Sequence, residues 1–145
     1  MTRDEALQKQ LEIAQQITHI GSWQWDVHSS RVLWSDELSR IYGLEPQSCE
    51  ITFDSFLARV HPEDRERTTR EVTAALASGG RFSYPERILR PDGSIRELLT
   101  AGEAVLDEAK NVVSLVGTCR DVTNERALGD QQVEKEIAPA GEHAA

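Results

Sequence analysis

Two cysteines, four histidines and a run of arginines set among acids are the side chains of this 145-residue chain with chemistry beyond packing. Cys49 and Cys119 lie far apart in sequence and match no metal-site or dithiol spacing. His61 is the histidine best suited to hold a metal or haem iron, because neutral imidazole is a common metal ligand. Its Pro62-Glu63-Asp64 context reads instead as a helix start, and no second ligand has suitable spacing. His19 and His28 fall at a helix end and in a turn, and His143 lies in the tail, so all three read as solvated. Arg87, Arg90 and Arg96 alternate with Glu86 and Asp92, which predicts cross-strand ion pairs on a wet sheet face; an anion site is the alternative. Trp23, Trp25 and Trp34 can stack on a planar ligand, but aromatic residues at strand period are the usual content of a core, and packing is preferred. No nucleophile–base pair and no metal cluster is found, so a small enzyme has no residues to run on.

Those side chains must be carried by elements, and composition bounds what the elements can be. The chain is long enough for one domain with a modest core and extra helical ends. A net charge of −9 excludes general attraction to nucleic acid phosphates or to anionic membrane. Sparse cysteine suits a reducing cytoplasm. There is no apolar run of about 18 residues, and Thr2-Arg3-Asp4-Glu5 turns helical at once, so neither membrane insertion nor a cleavable leader is expected. A cytoplasmic chain, or the cytoplasmic piece of a larger one, is the expectation.

The first helix covers 3–18, where Leu7, Leu11, Ala14 and Thr18 form one stripe and Ile13, Ile17 and Ile20 a second. One stripe can pack on the domain and the other on a partner; a solvated helix with one buried face is the plainer reading. Gly21 ends the pattern, and residues 22–34 alternate as a two-stranded hairpin turned at His28-Ser29-Ser30. Ser35 caps a short helix with Asp36 and Glu37 in its first turn, Leu38, Ile41 and Tyr42 inside, and Gly43 at its left-handed end. Phe53, Phe56, Leu57 and Val60 mark another short helical face, and His61-Pro62 opens the longest helix of the domain body, stopped by Gly79-Gly80. Three strands follow at about 81–90, 95–106 and 112–122. Asp92-Gly93 predicts a two-residue type I′ turn between the first two of them. Pro85 cannot donate to a ladder, which places its strand at a sheet edge. Beyond Asn124 the chain turns helical again, and its last 10–15 residues have too little to bury to stay ordered. Five antiparallel strands with helices between the second and third give an α+β class.

The blocks Ile20-Gly21-Ser22-Trp23-Gln24-Trp25-Asp26, Trp34-Ser35-Asp36-Glu37 with Ile41-Tyr42-Gly43-Leu44, Val60-His61-Pro62-Glu63-Asp64-Arg65, Arg90-Pro91-Asp92-Gly93-Ser94 and Gly117-Thr118-Cys119-Arg120-Asp121-Val122-Thr123 fall in an order that resembles a PAS domain. The resemblance is to the subgroup common in bacterial sensor histidine kinases and cyclases, and it covers about 20–123. Two positions depart from the pattern: Pro85 replaces an ordinary strand residue, and Leu98 stands where an aromatic residue is frequent.

The resemblance implies a sheet order of 2-1-5-4-3, helices over the inner face of the sheet, and a small pocket between them. It divides the chain into a flanking dimerisation helix (1–19), the PAS domain (20–123) and the start of an output helix with a tail (124–145). Tyr42, Phe53, Phe56, Val60, Val72, Leu99 and Leu115 are the expected pocket lining, which suits a small, mostly neutral ligand. Asp121 and Thr123 are the expected signalling joint between sheet and output helix, an N-cap being the simpler role. Leu7, Leu11 and Ala14 are the expected dimer contact. Some relatives of this fold perform flavin-adduct photochemistry, but the Asn-Cys-Arg-Phe-type motif of those photosensors is absent, and both cysteines read as structural. No cofactor is evident, and haem is not expected. The resemblance implies a sensory and regulatory module that binds a small ligand, dimerises, or does both to control an attached or partner effector. A ligand-free interaction scaffold is the alternative.

Overall fold

The computed structural model describes residues 1–128. The expected disorder of the last 10–15 residues lies outside the described residues. In chain order the elements are α1 (Arg3–Thr18), β1 (Ile20–Asp26), β2 (Arg31–Trp34), α2 (Asp36–Ile41), β3 (Ile51–Thr52) and α3 (Phe53–Arg59). A 3₁₀ turn (Pro62–Asp64) then leads into α4 (Arg65–Ser78), β4 (Arg81–Leu89), β5 (Ile95–Leu106), β6 (Val112–Asp121) and α5 (Thr123–Leu128).

The strands form one antiparallel sheet in the order β3-β2-β1-β6-β5-β4. This is the expected 2-1-5-4-3 order with the two-residue β3 added outside β2. The register Trp23↔Gly117, Gly117↔Gly102 and Gly102↔Phe82 places these residues in one row across four strands. Because side chains alternate along a strand, the rows through Trp25, Leu115 and Ala104, and through Cys119, Thr100 and Tyr84, share that face. Helices α2, α3 and α4 cover it.

Two glycines make this face usable. A Cβ on Gly102 would stand 2.7 Å from Phe82 Cζ and 2.8 Å from Trp23 Cζ2, and one on Gly117 would run into the Ala101 carbonyl oxygen. The Trp23 ring therefore lies directly on bare backbone. At Gly21 a Cβ would sit 2.5 Å from Leu38 Cβ, so α2 reaches β1 only because position 21 has no side chain.

Pro85 does lie on the edge strand, and the geometry explains why it is tolerated. On β4 the N–H and C=O of Arg87 point away from β5: His61 N donates to Arg87 O at 2.8 Å, and Arg87 N donates to Asp64 Oδ2 at 2.8 Å. Pro85 shares that parity, so its missing donor costs no ladder bond. Its carbonyl accepts from Arg67 Nη1 at 3.0 Å. With the Val60↔Ile88 bridge, the α3–α4 connection closes the edge against a further strand.

The β4–β5 turn differs from the expected two-residue type. Gly93 N donates to Arg90 O and Arg90 N donates to Ser94 O, both at 2.9 Å, which leaves Pro91, Asp92 and Gly93 as a three-residue loop. Only Gly93 has positive φ (+89°) there. Proline fixes a negative φ at the first loop position, so the chain takes a type I turn closed by a left-handed glycine.

Helix α1 begins on a Thr2 cap and ends at His19 in the left-handed conformation. Neither apolar stripe is buried within the chain: Leu11 is 56% exposed and Ile17 74%, and Leu7, Ile13 and Ala14 are exposed as well. Its one buried residue is Gln15, whose Nε2 donates to Ser22 Oγ at 3.0 Å. The helix is docked through a polar residue.

Candidate functional site

Between the inner sheet face and the helices lies a cavity of about 50 Å3. The floor is Trp23 and Trp25 of β1, Val32 and Trp34 of β2, Leu115 and Cys119 of β6, and Thr100 of β5. Phe82, Tyr84 and Glu86 of β4 form one wall. Leu38 and Tyr42 of α2, Phe53 and Phe56 of α3, and Val72 of α4 close it. The contributors from α2 and α3 follow from caps that fix those helices. Ser35 Oγ accepts from Leu38 N, and Thr52 and Ser55 form a reciprocal capping box under Phe53 and Phe56.

Of the expected lining residues, Tyr42, Phe53, Phe56, Val72 and Leu115 are in the cavity wall. Val60 is fully buried but serves the bridge to Ile88 instead. Leu99 is corrected by strand parity: Leu98 and Thr100 face inward and are buried, which turns Leu99 to the outer face beside Arg120. The three tryptophans pack, as preferred, and also line the cavity.

Glu86 is the residue that sequence patterning passed over as a surface partner for arginine. It is 2% exposed and lines the cavity. Thr68 Oγ1 donates to its Oε2 at 3.1 Å and Thr100 Oγ1 to its Oε1 at 3.4 Å. Thr100 Oγ1 and Cys119 Sγ lie 3.5 Å apart, and either can donate. Burial pushes the Glu86 carboxyl up to about 7, against the pull of hydrogen bonds from Thr68, Tyr84 and Thr100. Burial first, and the nearby Glu86 second, raise Tyr42, Tyr84 and Cys119 as well. The alternation Tyr84, Glu86, Ile88 was the signal available, because it sets Glu86 in phase with apolar neighbours.

No hairpin arginine binds Glu86; Arg96 does pair across strands, but with Asp121 of β6. Arg87 grips Asp64 through Nε and Nη2 at 3.0 and 2.8 Å and reaches Glu63 at 3.0 Å. Arg90 Nε donates to Ile41 O at 2.9 Å, closing the end of α2. Arg96 binds Asp121 Oδ2 at 2.9 and 2.8 Å. Arg87 and Arg90 tie the sheet to helical segments, and Arg96 ties β5 to the end of β6.

Arg96 leads to the expected joint. Asp121 Oδ1 accepts from Thr123 N at 3.0 Å and from Thr123 Oγ1 at 2.7 Å. Glu97 N donates to Thr123 Oγ1 and Val122 N to Glu97 O, at 2.8 and 2.9 Å. Asp121 N donates to His19 O at 3.2 Å, so the end of α1 and the start of α5 meet at the same point of β6.

Among the described residues no group of three or more His, Cys, Asp or Glu could hold a metal ion. His61 Nδ1 accepts from Glu63 N at 3.1 Å, and His61 does not line the cavity. The void as it stands is smaller than the ring system of a flavin or a porphyrin, and burial raises the Cys119 thiol.

A half-open sheet, a roofed apolar cavity and a clasped exit helix define the class of small sensory α+β domains. The chain belongs to the PAS family: the family model for the PAS fold matches residues 31–119. It is similar to sensor protein FixL of Bradyrhizobium diazoefficiens, 26% identical over 75% of this chain. It is 30% identical, over 89% of the chain, to a blue-light-activated histidine kinase of Brucella ovis. The chain spans 21% and 26% of the lengths of these relatives. Its fold matches a sensory box histidine kinase/response regulator from Burkholderia thailandensis with a TM-score of 0.68 and 25% identity, over 87% of this chain and 95% of that one. Among the described residues no helix is long and apolar enough to cross a membrane.

Proposed function

We propose that this domain is a regulatory module that converts occupancy of its cavity into a change at the exit helix, for an effector of the histidine kinase or cyclase type. One observation carries the reading: β6 supplies Leu115 and Cys119 to the cavity and, two residues later, Asp121 to the clasp on α5. A ligand that favours one arrangement of β6 biases the clasp, whereas one with equal affinity for both arrangements shifts nothing. The clasp is tested by Arg96→Ala. Amide exchange over 123–128 is expected to speed by about tenfold, the equivalent of one charged hydrogen bond, while exchange in the middle of β5 and β6 stays unchanged. Unaltered exchange in α5 would remove the clasp from the account.

The exposed apolar residues of α1 favour a second element of the reading, a homodimer formed through Leu7, Leu11 and Ala14. Sedimentation equilibrium is expected to show a dimer whose population falls on Leu11→Lys without loss of helical signal. A wild-type chain that stays monomeric at high concentration overturns it.

A further inference from the structure

The cavity wall is chemically one-sided. Eight of its fifteen lining residues are aromatic, one is a carboxylate, and none of those described is Lys, Arg or His. The groups that face Glu86 among the described residues are neutral or acidic. Tyr84 stands beside it on β4, Thr68 faces it from α4, Thr100 from β5, Cys119 from β6 and Tyr42 from α2, with Asp64 further off. A desolvated carboxylate without a cation gains most from a positive charge, since charge-assisted hydrogen bonds are about twice as strong as neutral ones. The faces of Trp, Tyr and Phe attract cations through their quadrupoles and offer no such gain to a neutral group. A second set of atoms adds a requirement: Trp25 Nε1 is buried and makes no hydrogen bond, and the buried Trp23 Nε1 has only the weak acceptor Cys119 Sγ beside it. Buried indole N–H groups call for an acceptor, and a bare ammonium has none. Size sets the last limit. At about 10–15 Å3 per water-sized occupant, a 50 Å3 void takes roughly three to five non-hydrogen atoms.

Resting on the sensory reading above, we propose that the cavity is a receptor for a short organic ammonium with a hydroxyl, of ethanolamine's size, its nitrogen on Glu86 and its oxygen accepting from an indole N–H. The larger cations of most aromatic cages are too big for it. An aliphatic amine without oxygen leaves the Trp25 indole unpaired.

The test titrates the full chain with ethanolamine and, separately, with ethylene glycol, its neutral isostere, following the indole N–H resonances by NMR. Ethanolamine is expected to give a saturable shift and ethylene glycol at least tenfold weaker binding. From pH 8 to pH 6 ethanolamine affinity is expected to fall by about tenfold, because the carboxyl near 7 becomes protonated. Glu86→Gln is expected to abolish the difference between the two compounds while the indole resonances keep their dispersion. Equal binding of both compounds, or a pH-independent affinity for ethanolamine, overturns the ammonium assignment and leaves a ligand cavity standing. Saturable binding of neither compound overturns it too, and the sensory reading is then judged by the exchange of α5.

Discussion

Arg87→Ala is expected to lower the free energy of unfolding by about 2–3 kcal/mol, read from urea denaturation at pH 7. Removing one partner of a buried ion pair costs about 3–5 kcal/mol, because the other charge is left desolvated. Two features bring the figure below that range. Arg87 is 35% exposed, so water screens part of the attraction. Asp64 also keeps the hydrogen bond from the Arg87 backbone N–H. Glu63→Ala is the matched control: Glu63 is 73% exposed, and losing its contact with Arg87 should cost less than about 0.5 kcal/mol. A large loss in the control, or none in Arg87→Ala, would show that the edge of β4 is held by something other than this pair. The pH dependence has a definite sign. Burial pushes the Asp64 carboxyl up, but the Arg87 side-chain and backbone hydrogen bonds outweigh it and hold it below its ordinary value. A depressed carboxyl contributes stability above its unfolded pKa near 4 that is lost as pH falls through the folded value. In Arg87→Ala that acid-side loss should be smaller.

Much of this pairing's setting was legible in the sequence, but the pairing was not. His61-Pro62-Glu63-Asp64 announced a helix start, and Pro85 announced an edge strand, each through backbone chemistry confined to a few residues. Asp64 and Arg87 meet from segments 23 residues apart, and no local rule links them. Ser35, Gly43 and Gly79 were likewise readable, because caps and left-handed ends are local demands. The failures have separate causes. Leu98 and Leu99 are adjacent and both apolar, so composition gives no alternation to choose between them, and only the Thr100↔Cys119 register sets the parity. The two residues of β3 are too few to show a period. The turn at Asp92-Gly93 was assigned by its dipeptide, while Pro91 one position earlier rules out the primed turn.

Family resemblance pointed to Asp121 and Thr123, and the structure joins them by hydrogen bonds to each other and to Glu97. It did not point to Glu86, because a lone acid flanked by Pro85 and Arg87 reads as surface. The consequence for function is a division of labour along β4. Its outward parity (Pro85, Arg87) fastens the helical connection, and its inward parity (Tyr84, Glu86, Ile88) builds the cavity wall and core. The halves are not independent, because the charge of Asp64, held by Arg87, raises the Glu86 carboxyl.

The inward half carries the second large effect. Unfolding free energy of the wild type is expected to fall by about 3 kcal/mol between pH 4.5 and pH 8, relative to Glu86→Gln. Burial raises the Glu86 carboxyl from 4.5 to about 7, a difference that corresponds to about 3 kcal/mol at about 1.36 kcal/mol per pH unit. For an acid raised in the folded state, the stability present below the unfolded pKa is lost as pH rises through the folded one. The window is therefore about 4.5 to 7, above that of Asp64, and urea midpoints taken at half-unit steps separate the two. The glutamine variant has nothing to ionise and should be flat across this window, crossing above the wild type near neutrality if its amide keeps the Thr68 and Thr100 contacts. A wild type that is equally flat means that Glu86 is ionised in the fold at little cost. It would then already have its cation or its water, and the cavity would have no reason to select a positively charged guest. A slope that disappears when ethanolamine is added would join the two findings, since a bound ammonium returns the carboxyl toward its ordinary pKa.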